Sequence, residues 1–269
     1  MSTLTDVSSP GLPPLNAPAG PAPPAPAVDK SGEKIAEMFR QVAPRYDRMN
    51  HLLSLNIDRL WRRKVTRMLP AVEDLVQRRV LDACTGTGDL AIAMRRRYGD
   101  AVEVIGSDFC PAMLDLAREK DGGSIEFLEA DTQKLPFPDD HFGAVTVAFG
   151  LRNVADTDAG LREMTRVLAP GGRLFVLEFS HPRAFGLRHA YGVYFRHVLP
   201  RVGQALAAND KDAYRYLHDS VDDFPDYERL SAKMDSAGLV RTGYTPLTFG
   251  VATVYTGVKP AAENSGAMA

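Results

Sequence analysis

Between residues 79 and 179, short apolar runs alternate with stretches whose apolar positions recur at helical spacing. The runs at 79–84, 102–107, 124–129, 143–148 and 173–179 predict strands, each buried on both faces. The segments near 88–98, 111–120 and 157–168 predict helices. Such alternation predicts a parallel sheet wrapped by helices on both faces. Ala169-Pro170-Gly171-Gly172 is expected to stop the third helix. Two further strands, 240–246 and 250–258, are joined by a connection too short for a crossover, so they must be antiparallel. The fold class is α/β: a seven-stranded mixed sheet with an antiparallel last strand.

The pattern changes at both ends and once in the middle. Residues 1–30 read as a disordered Pro/Ala-rich tail. Eight of the 19 prolines fall within 1–29, with no aromatic residue among them, too little apolar surface to offset the entropy of ordering. Residues 31–260 form one domain, and 261–269 a second disordered tail. Within the domain, 33–75 is a helical cap. Ile35, Met38, Phe39 and Val42 have helical spacing. Asp58-Arg59-Leu60-Trp61-Arg62-Arg63-Lys64-Val65 reads as a basic helix, with Trp61 anchoring it to the core and the charges in solvent. The block 181–236 reads as a helical lid insertion rich in aromatic residues.

The candidate chemistry starts where the first strand ends, at Val80-Leu81-Asp82-Ala83-Cys84-Thr85-Gly86-Thr87-Gly88-Asp89. Strand, glycine turn and helix in that order make a nucleoside-binding loop. Gly86 and Gly88 permit positive φ and let a ligand approach the backbone. Asp108, closing the second strand, is placed to accept the ribose hydroxyls. Both nicotinamide dinucleotides and S-adenosylmethionine use such a loop. Three details favour the latter. The third glycine of a dinucleotide fingerprint is replaced by Ala91. Asp82 puts a carboxylate beside the loop, which suits a cationic ligand better than a pyrophosphate. Asp131 closes the third strand, within reach of an adenine amino group. The reversed last strand points the same way, since a simple dinucleotide-binding sheet is all parallel.

Composition narrows the partners. A formal charge of −2 gives no footprint for nucleic acid. The two cysteines, Cys84 and Cys110, fit a reducing compartment, and no Cys/His spacing reads as a metal site. No apolar run approaches the ~20 residues that span a bilayer. No basic segment precedes an apolar stretch at the N-terminus, so no signal peptide is expected.

The motifs also carry a resemblance. Tyr46-Asp47-Arg48-Met49-Asn50-His51-Leu52-Leu53-Ser54, running on to Trp61, is similar to the N-terminal signature of the quinone-biosynthesis C-methyltransferases. Arg166-Val167-Leu168-Ala169-Pro170-Gly171-Gly172-Arg173, ending Leu177-Glu178-Phe179-Ser180, resembles their second signature. Leu135-Pro136-Phe137-Pro138-Asp139 and Phe149-Gly150-Leu151-Arg152-Asn153-Val154 match as well, and the resemblance spans roughly 33–259. It implies a Rossmann-like class I methyltransferase that transfers a methyl group from S-adenosylmethionine to the ring of demethylmenaquinol, the last step of menaquinone biosynthesis. A ubiquinone precursor, or another small aromatic or lipid acceptor, is the alternative. It implies cofactor contacts at Thr87, Asp108, Asp131 and Thr132, beside Asp82, Gly86 and Gly88 from the loop itself. Around the substrate ring it implies Tyr46, Arg152 and Asn153. Three departures from the family pattern stand out. Asp58 replaces a usual His and Ala169 a usual Lys, both expected at the surface. Ala148 replaces a Ser that some members use as a cofactor contact, so it is left outside the site.

A quinol ring carbon becomes nucleophilic when a phenolic proton leaves, and with a phenol pKa near ~10 a base or a phenolate-stabilising donor is useful at neutral pH. His181 and Asp47 are further candidates for that work. The prenyl tail needs an apolar channel, which Phe185, Leu187, Tyr191, Tyr194, Phe195 and Val198 would line. The same segment carries Arg183, Arg188, Arg196 and Arg201 without an acid. The expected protein is therefore cytoplasmic, with peripheral membrane contact. The resemblance also allows a homodimer.

Overall fold

A computed structural model describes Arg40, Ser54, residues 56–183 and residues 220–261. Tyr46, Asp47, the helix expected near 35–42, both tails and the proposed prenyl channel lie outside the described residues.

Helix α1 (Ile57–Met68) precedes a strictly alternating core. Strand β1 (Arg79–Ala83) leads to α2 (Asp89–Tyr98), β2 (Glu103–Asp108), α3 (Pro111–Asp121), β3 (Glu126–Glu129) and β4 (Phe142–Ala148). Then come α4 (Thr157–Val167), β5 (Leu168–Phe179), α5 (Glu228–Ser236), β6 (Val240–Leu247) and β7 (Ala252–Val258). The sheet order is β3-β2-β1-β4-β5-β7-β6. Strands β1 to β5 pair in parallel, while β7 runs antiparallel to both β5 and β6. The reversed strand is last in the chain but lies inside the sheet, between β5 and the edge strand β6.

Period-two alternation divides the core into two layers. Val80, Val104, Ala144 and Phe175 face α1, α2 and α3, against Trp61, Leu90, Met94 and Leu114. Their sequence neighbours Leu81, Ile105, Val145 and Leu174 face α4 and α5, against Leu161, Met164 and Leu230. These strands are apolar on both faces along most of their length because both faces are covered.

One boundary differs from the sequence reading. Helix α4 ends at Val167, and pairing resumes at once with Leu168 opposite Phe142. The register then slips, so that Ala144 meets Arg173. The Ala169-Pro170-Gly171-Gly172 run is a bulge within β5, because a proline is tolerated in a strand where the ladder is interrupted. The Asp58 and Ala169 departures also need correction. Both side chains are buried, at 3% and 4% exposure, and neither is surface variation.

The strand order places the site. The sheet is built outward from β1 in one direction and from β4 in the other. The crevice between their C-terminal ends is the switch point at which open α/β sheets bind ligands.

Candidate functional site

Three strand ends converge on a cavity of about 230 Å3 at that switch point. After β1 the chain makes a tight loop in which Cys84, Gly86 and Gly88 all have positive φ. The Thr85 amide donates to the Ser107 carbonyl, and the Gly88 amide to the Thr85 carbonyl. A Cβ on Gly86 would meet nothing within 4 Å, so the loop's crest faces open space. The opposite wall approaches closely: a Cβ on Gly150 would sit 2.3 Å from that of Cys84.

Asp108 ends β2 with its carboxylate fixed by backbone. One oxygen accepts from the Gly86 amide at 2.8 Å and the other from the Cys110 amide at 3.0 Å. Each oxygen keeps a lone pair for a ligand hydroxyl. Burial raises its pKa to about 6, against the lowering effect of these amides. Asp131 and Thr132 follow β3 on the far wall. Asp131 is exposed at the mouth, held by the Gln133 amide at 2.9 Å, while Thr132 is buried and 3.2 Å from the Cys84 sulfur. The Thr87 hydroxyl accepts from the Lys120 ammonium at 3.0 Å. Of the residues singled out in the sequence, Gly86, Thr87, Asp108, Asp131, Thr132 and Asn153 are brought together on the wall of this cavity.

Three expected residues lie behind the wall, not on it. Asp82 is buried beneath the loop, with one oxygen accepting from the Thr85 hydroxyl and the other from Thr146, each at 2.7 Å. Burial raises its pKa to about 6. It braces the loop and contributes its charge from below. Gly88 caps α2, with its missing Cβ leaving room for Ala117 and Phe127. Arg152 is turned into the protein. Its guanidinium pairs with Glu178 at 2.8 Å, donates to the Phe149 carbonyl at 2.5 Å and stacks over Phe179. Its Nε is buried without a hydrogen-bond partner among the described residues. Ala148, left outside the site by the sequence reading, is on the wall.

Two charged positions at the cavity or just behind its wall escape the sequence reading. Glu178 is the buried acid that holds Arg152, and its signal was a lone carboxylate in the apolar run of β5. Arg62 was read as part of a solvated basic face, yet it lines the cavity, above the Phe149 ring. The Asp58–Arg62 spacing of four along a helix was the visible clue. Trp61 does anchor the helix as expected. It packs on Phe149 and Phe179 and donates to the Thr248 hydroxyl at 2.8 Å.

His181 cannot reach the cavity as a base. Its ring lies between Asp226 at 3.0 Å and Asp222 at 3.1 Å, and hydrogen bonding to Asp226 raises its pKa. Because the folded pKa is the higher one, this clasp contributes fully below the unfolded value and fades as pH rises through the folded value. The ring is more than a third exposed, so solvent screens the pairs and the contribution is about 1 kcal/mol or less. Thermal unfolding of His181→Ala should therefore show a larger loss of Tm at pH 6 than at pH 9. An equal loss at both would assign the effect to packing. The Cys84 thiol is driven well above its ordinary pKa by burial and by the nearby Asp108, so it is no nucleophile. Among the described residues no His/Cys/Asp/Glu group is placed to hold a metal, and no helix is long and apolar enough to cross a membrane.

Comparison with known proteins agrees with this geometry. A model described as the ubiE/COQ5 methyltransferase family matches residues 27–259. The chain is 50% identical over 242 residues to a demethylmenaquinone methyltransferase of Deinococcus radiodurans, covering 88% of this chain and 97% of that protein. It is 50% identical over 228 residues to a Thermus thermophilus protein of the same name, covering 83% of this chain and 100% of the relative. It is 45% identical over 237 residues to a ubiquinone/menaquinone biosynthesis C-methyltransferase of Geobacter sulfurreducens, covering 86% and 91%. Among solved structures, a SAM-dependent methyltransferase from Thermotoga maritima superposes with a TM-score of 0.61 at 20% identity, over 83% of this chain and 99% of that one. Magnesium protoporphyrin IX methyltransferase from Synechocystis, solved with bound SAH, gives 0.56 at 17%, over 85% and 100%. At these identities the two structures speak for the fold alone.

Proposed function

The chain belongs to the ubiE/COQ5 methyltransferase family, and from that premise we propose that its methyl acceptor is demethylmenaquinol, the reduced ring of a prenylated quinone. The protein is an S-adenosylmethionine-dependent methyltransferase. When bound, S-adenosylmethionine supplies an electrophilic methyl group on a positively charged sulfur. The cavity fits that group: the Gly86 crest is open, the Asp108 carboxylate is pre-set by two amides, and Asp89, Asp108 and Asp131 give the wall a negative bias.

The remaining residues prepare the acceptor. Asn153 presents its amide at the wall beside the reacting region. Arg152 is a positioning residue: by gripping Glu178 and the Phe149 carbonyl it fixes the 149–153 turn that carries Asn153. Its guanidinium, buried behind the wall, acts through that turn and not by touching the substrate. Tyr46, from the cap, is assigned to the ring by the motif resemblance alone. With the cofactor bound, a wall that holds the acceptor ring in one orientation would supply much of the rate, since orientation removes an entropic cost otherwise met at the barrier.

The observation that carries the choice of acceptor is that both relatives at 50% identity bear the name demethylmenaquinone methyltransferase. A ubiquinone precursor is the second reading, supported by the dual name of the Geobacter relative. Labelled S-adenosylmethionine should transfer label to short-tailed demethylmenaquinol and not to the oxidised quinone, whose ring carbon is electrophilic. Label in a ubiquinone precursor alone would move the assignment to the second reading. No label in any quinol, with S-adenosylhomocysteine still bound, would defeat both. We place the protein at the membrane surface as a peripheral contact. Exposed Leu60 and Phe249 flank the Trp61–Thr248 hydrogen bond, with Arg59, Arg63 and Lys64 exposed on the same helix.

A further inference from the structure

The charged side chains on the cavity wall are mostly acids. Asp89, Asp108 and Asp131 all line the cavity; Asp108 would take the ribose hydroxyls, and Asp131 and Thr132 would face the base. S-adenosylmethionine, however, is a zwitterion at its other end, with an ammonium and a carboxylate. A carboxylate entering this cavity needs a cation, and Arg62 is the single Lys or Arg on the wall among the described residues. Its place is suitable. It stands over the Phe149 ring at 5.5 Å, at the exit of β4, and Thr85 and Gly86 line the same cavity.

Arg62 is also prepared for the task. Asp58, one helical turn earlier, is 3% exposed and forms an ion pair with the Arg62 Nη1. The Ser54 hydroxyl donates to the other Asp58 oxygen at 2.6 Å. A guanidinium is a planar fork, so the pair to Asp58 leaves the Nε–Nη2 edge, and that edge matches a carboxylate in a bidentate way. Buried Asp58 thus has a reason to be an acid in this chain, where the family pattern has His.

We infer that Arg62 binds the carboxylate of the amino-acid arm of S-adenosylmethionine, and that Asp58 positions it. The inference rests on the family's use of that cofactor and adds the residue that reads its anionic end. The test is calorimetric titration of the full chain with two ligands. S-adenosylhomocysteine carries the amino-acid arm, and 5′-methylthioadenosine lacks it. Arg62→Gln should weaken S-adenosylhomocysteine by about tenfold or more, the scale of a lost charge-assisted hydrogen bond. It should leave methylthioadenosine within about twofold, since that ligand offers Arg62 no carboxylate. Arg62→Lys, which keeps the charge but not the fork, should fall between wild type and Arg62→Gln. Asp58→Asn should weaken S-adenosylhomocysteine alone, by less than Arg62→Gln.

Equal losses for both ligands would overturn the inference and make Arg62 a mere support for the wall. Unchanged S-adenosylhomocysteine affinity in Arg62→Gln would also overturn it. Retained methylthioadenosine binding reports that a variant is folded. A wild type that binds neither ligand would instead strike the cofactor assignment itself.

Discussion

Asparagine at position 108 should weaken S-adenosylhomocysteine binding by about a hundredfold or more, with the fold intact. The reason lies in how many acceptors the wild-type carboxylate offers. Its two oxygens already receive the Gly86 and Cys110 amides, and each has capacity for one ribose hydroxyl. Hydrogen bonds to a charged group contribute about 1.5–3 kcal/mol each, and two of them account for the expected loss. Asparagine keeps a single acceptor oxygen and turns an NH2 toward one of the two amides, so the loop and the ligand then compete for that oxygen. Asp108→Ala would lose the loop anchor as well, which makes asparagine the cleaner variant.

The pH dependence of binding follows from the same group. With its pKa raised by burial to about 6, Asp108 is ionised at pH 7.5 and largely protonated at pH 5. Ribose hydroxyls donate to the ionised form, so affinity should be flat above pH 7 and fall toward a tenfold loss per pH unit below 6. Asp82 titrates in the same range but lies behind the loop, with its oxygens engaged by threonine hydroxyls. Asp108→Asn should therefore flatten most of the acid limb. Stability runs the other way. A carboxylate whose folded pKa exceeds its unfolded value costs stability above about 6, and that cost is relieved as pH falls through the folded value. Loss of ligand affinity at pH 5.5 with an unchanged or higher Tm of the ligand-free protein would separate the site from the fold. A parallel drop in both would refute the assignment to Asp108.

The strands were legible because central parallel strands leave an unambiguous trace: both faces are apolar, so periodicity and composition agree. The β5 start was not, because Pro170 and the two glycines after it fit a helix stop and a bulge equally well, and only the register with β4 distinguishes them. The acids at strand ends were legible as a set, but depth was not. Asp82 lies inside β1, opposite Gly106, and Asp108 closes β2, a difference that only the register shows. Thr146, sixty-four residues from Asp82, supplies the hydroxyl that draws its carboxylate away from the cavity. Arg62 was hidden by its neighbours, since four other basic residues on the same helix face water. Arg152 stands out in the sequence as a candidate beside the substrate ring, but its place behind the wall does not. Its partner Glu178 lies on a different strand, and no local pattern joins them.

That buried pair carries the second large effect. Arg152 and Glu178 are 6% and 1% exposed, so removing either leaves a charge with no water to solvate it. Glu178 also accepts from the Phe179 amide at 3.0 Å. Glu178→Gln or Arg152→Met alone should destabilise the protein by about 3–5 kcal/mol, the usual cost of breaking such a pair from one side. For a domain of this size that is roughly a 10 °C fall in Tm. The double variant Arg152→Met with Glu178→Gln removes both charges, so its stability loss should be smaller than the sum of the singles, by at least about 1 kcal/mol. Activity should behave differently. The Phe149 carbonyl loses the Arg152 tie in the double variant too, the 149–153 turn is no longer fixed, and methyl transfer should stay low even where Tm recovers. The KM for the quinol and kcat should both suffer, while S-adenosylhomocysteine binding, seated mainly on Asp108 and the glycine loop, should change little. Full turnover in Arg152→Met would show that Asn153 is held without it and would remove Arg152 from the mechanism. Additive stability losses in the double variant would show that the two groups do not act as a pair.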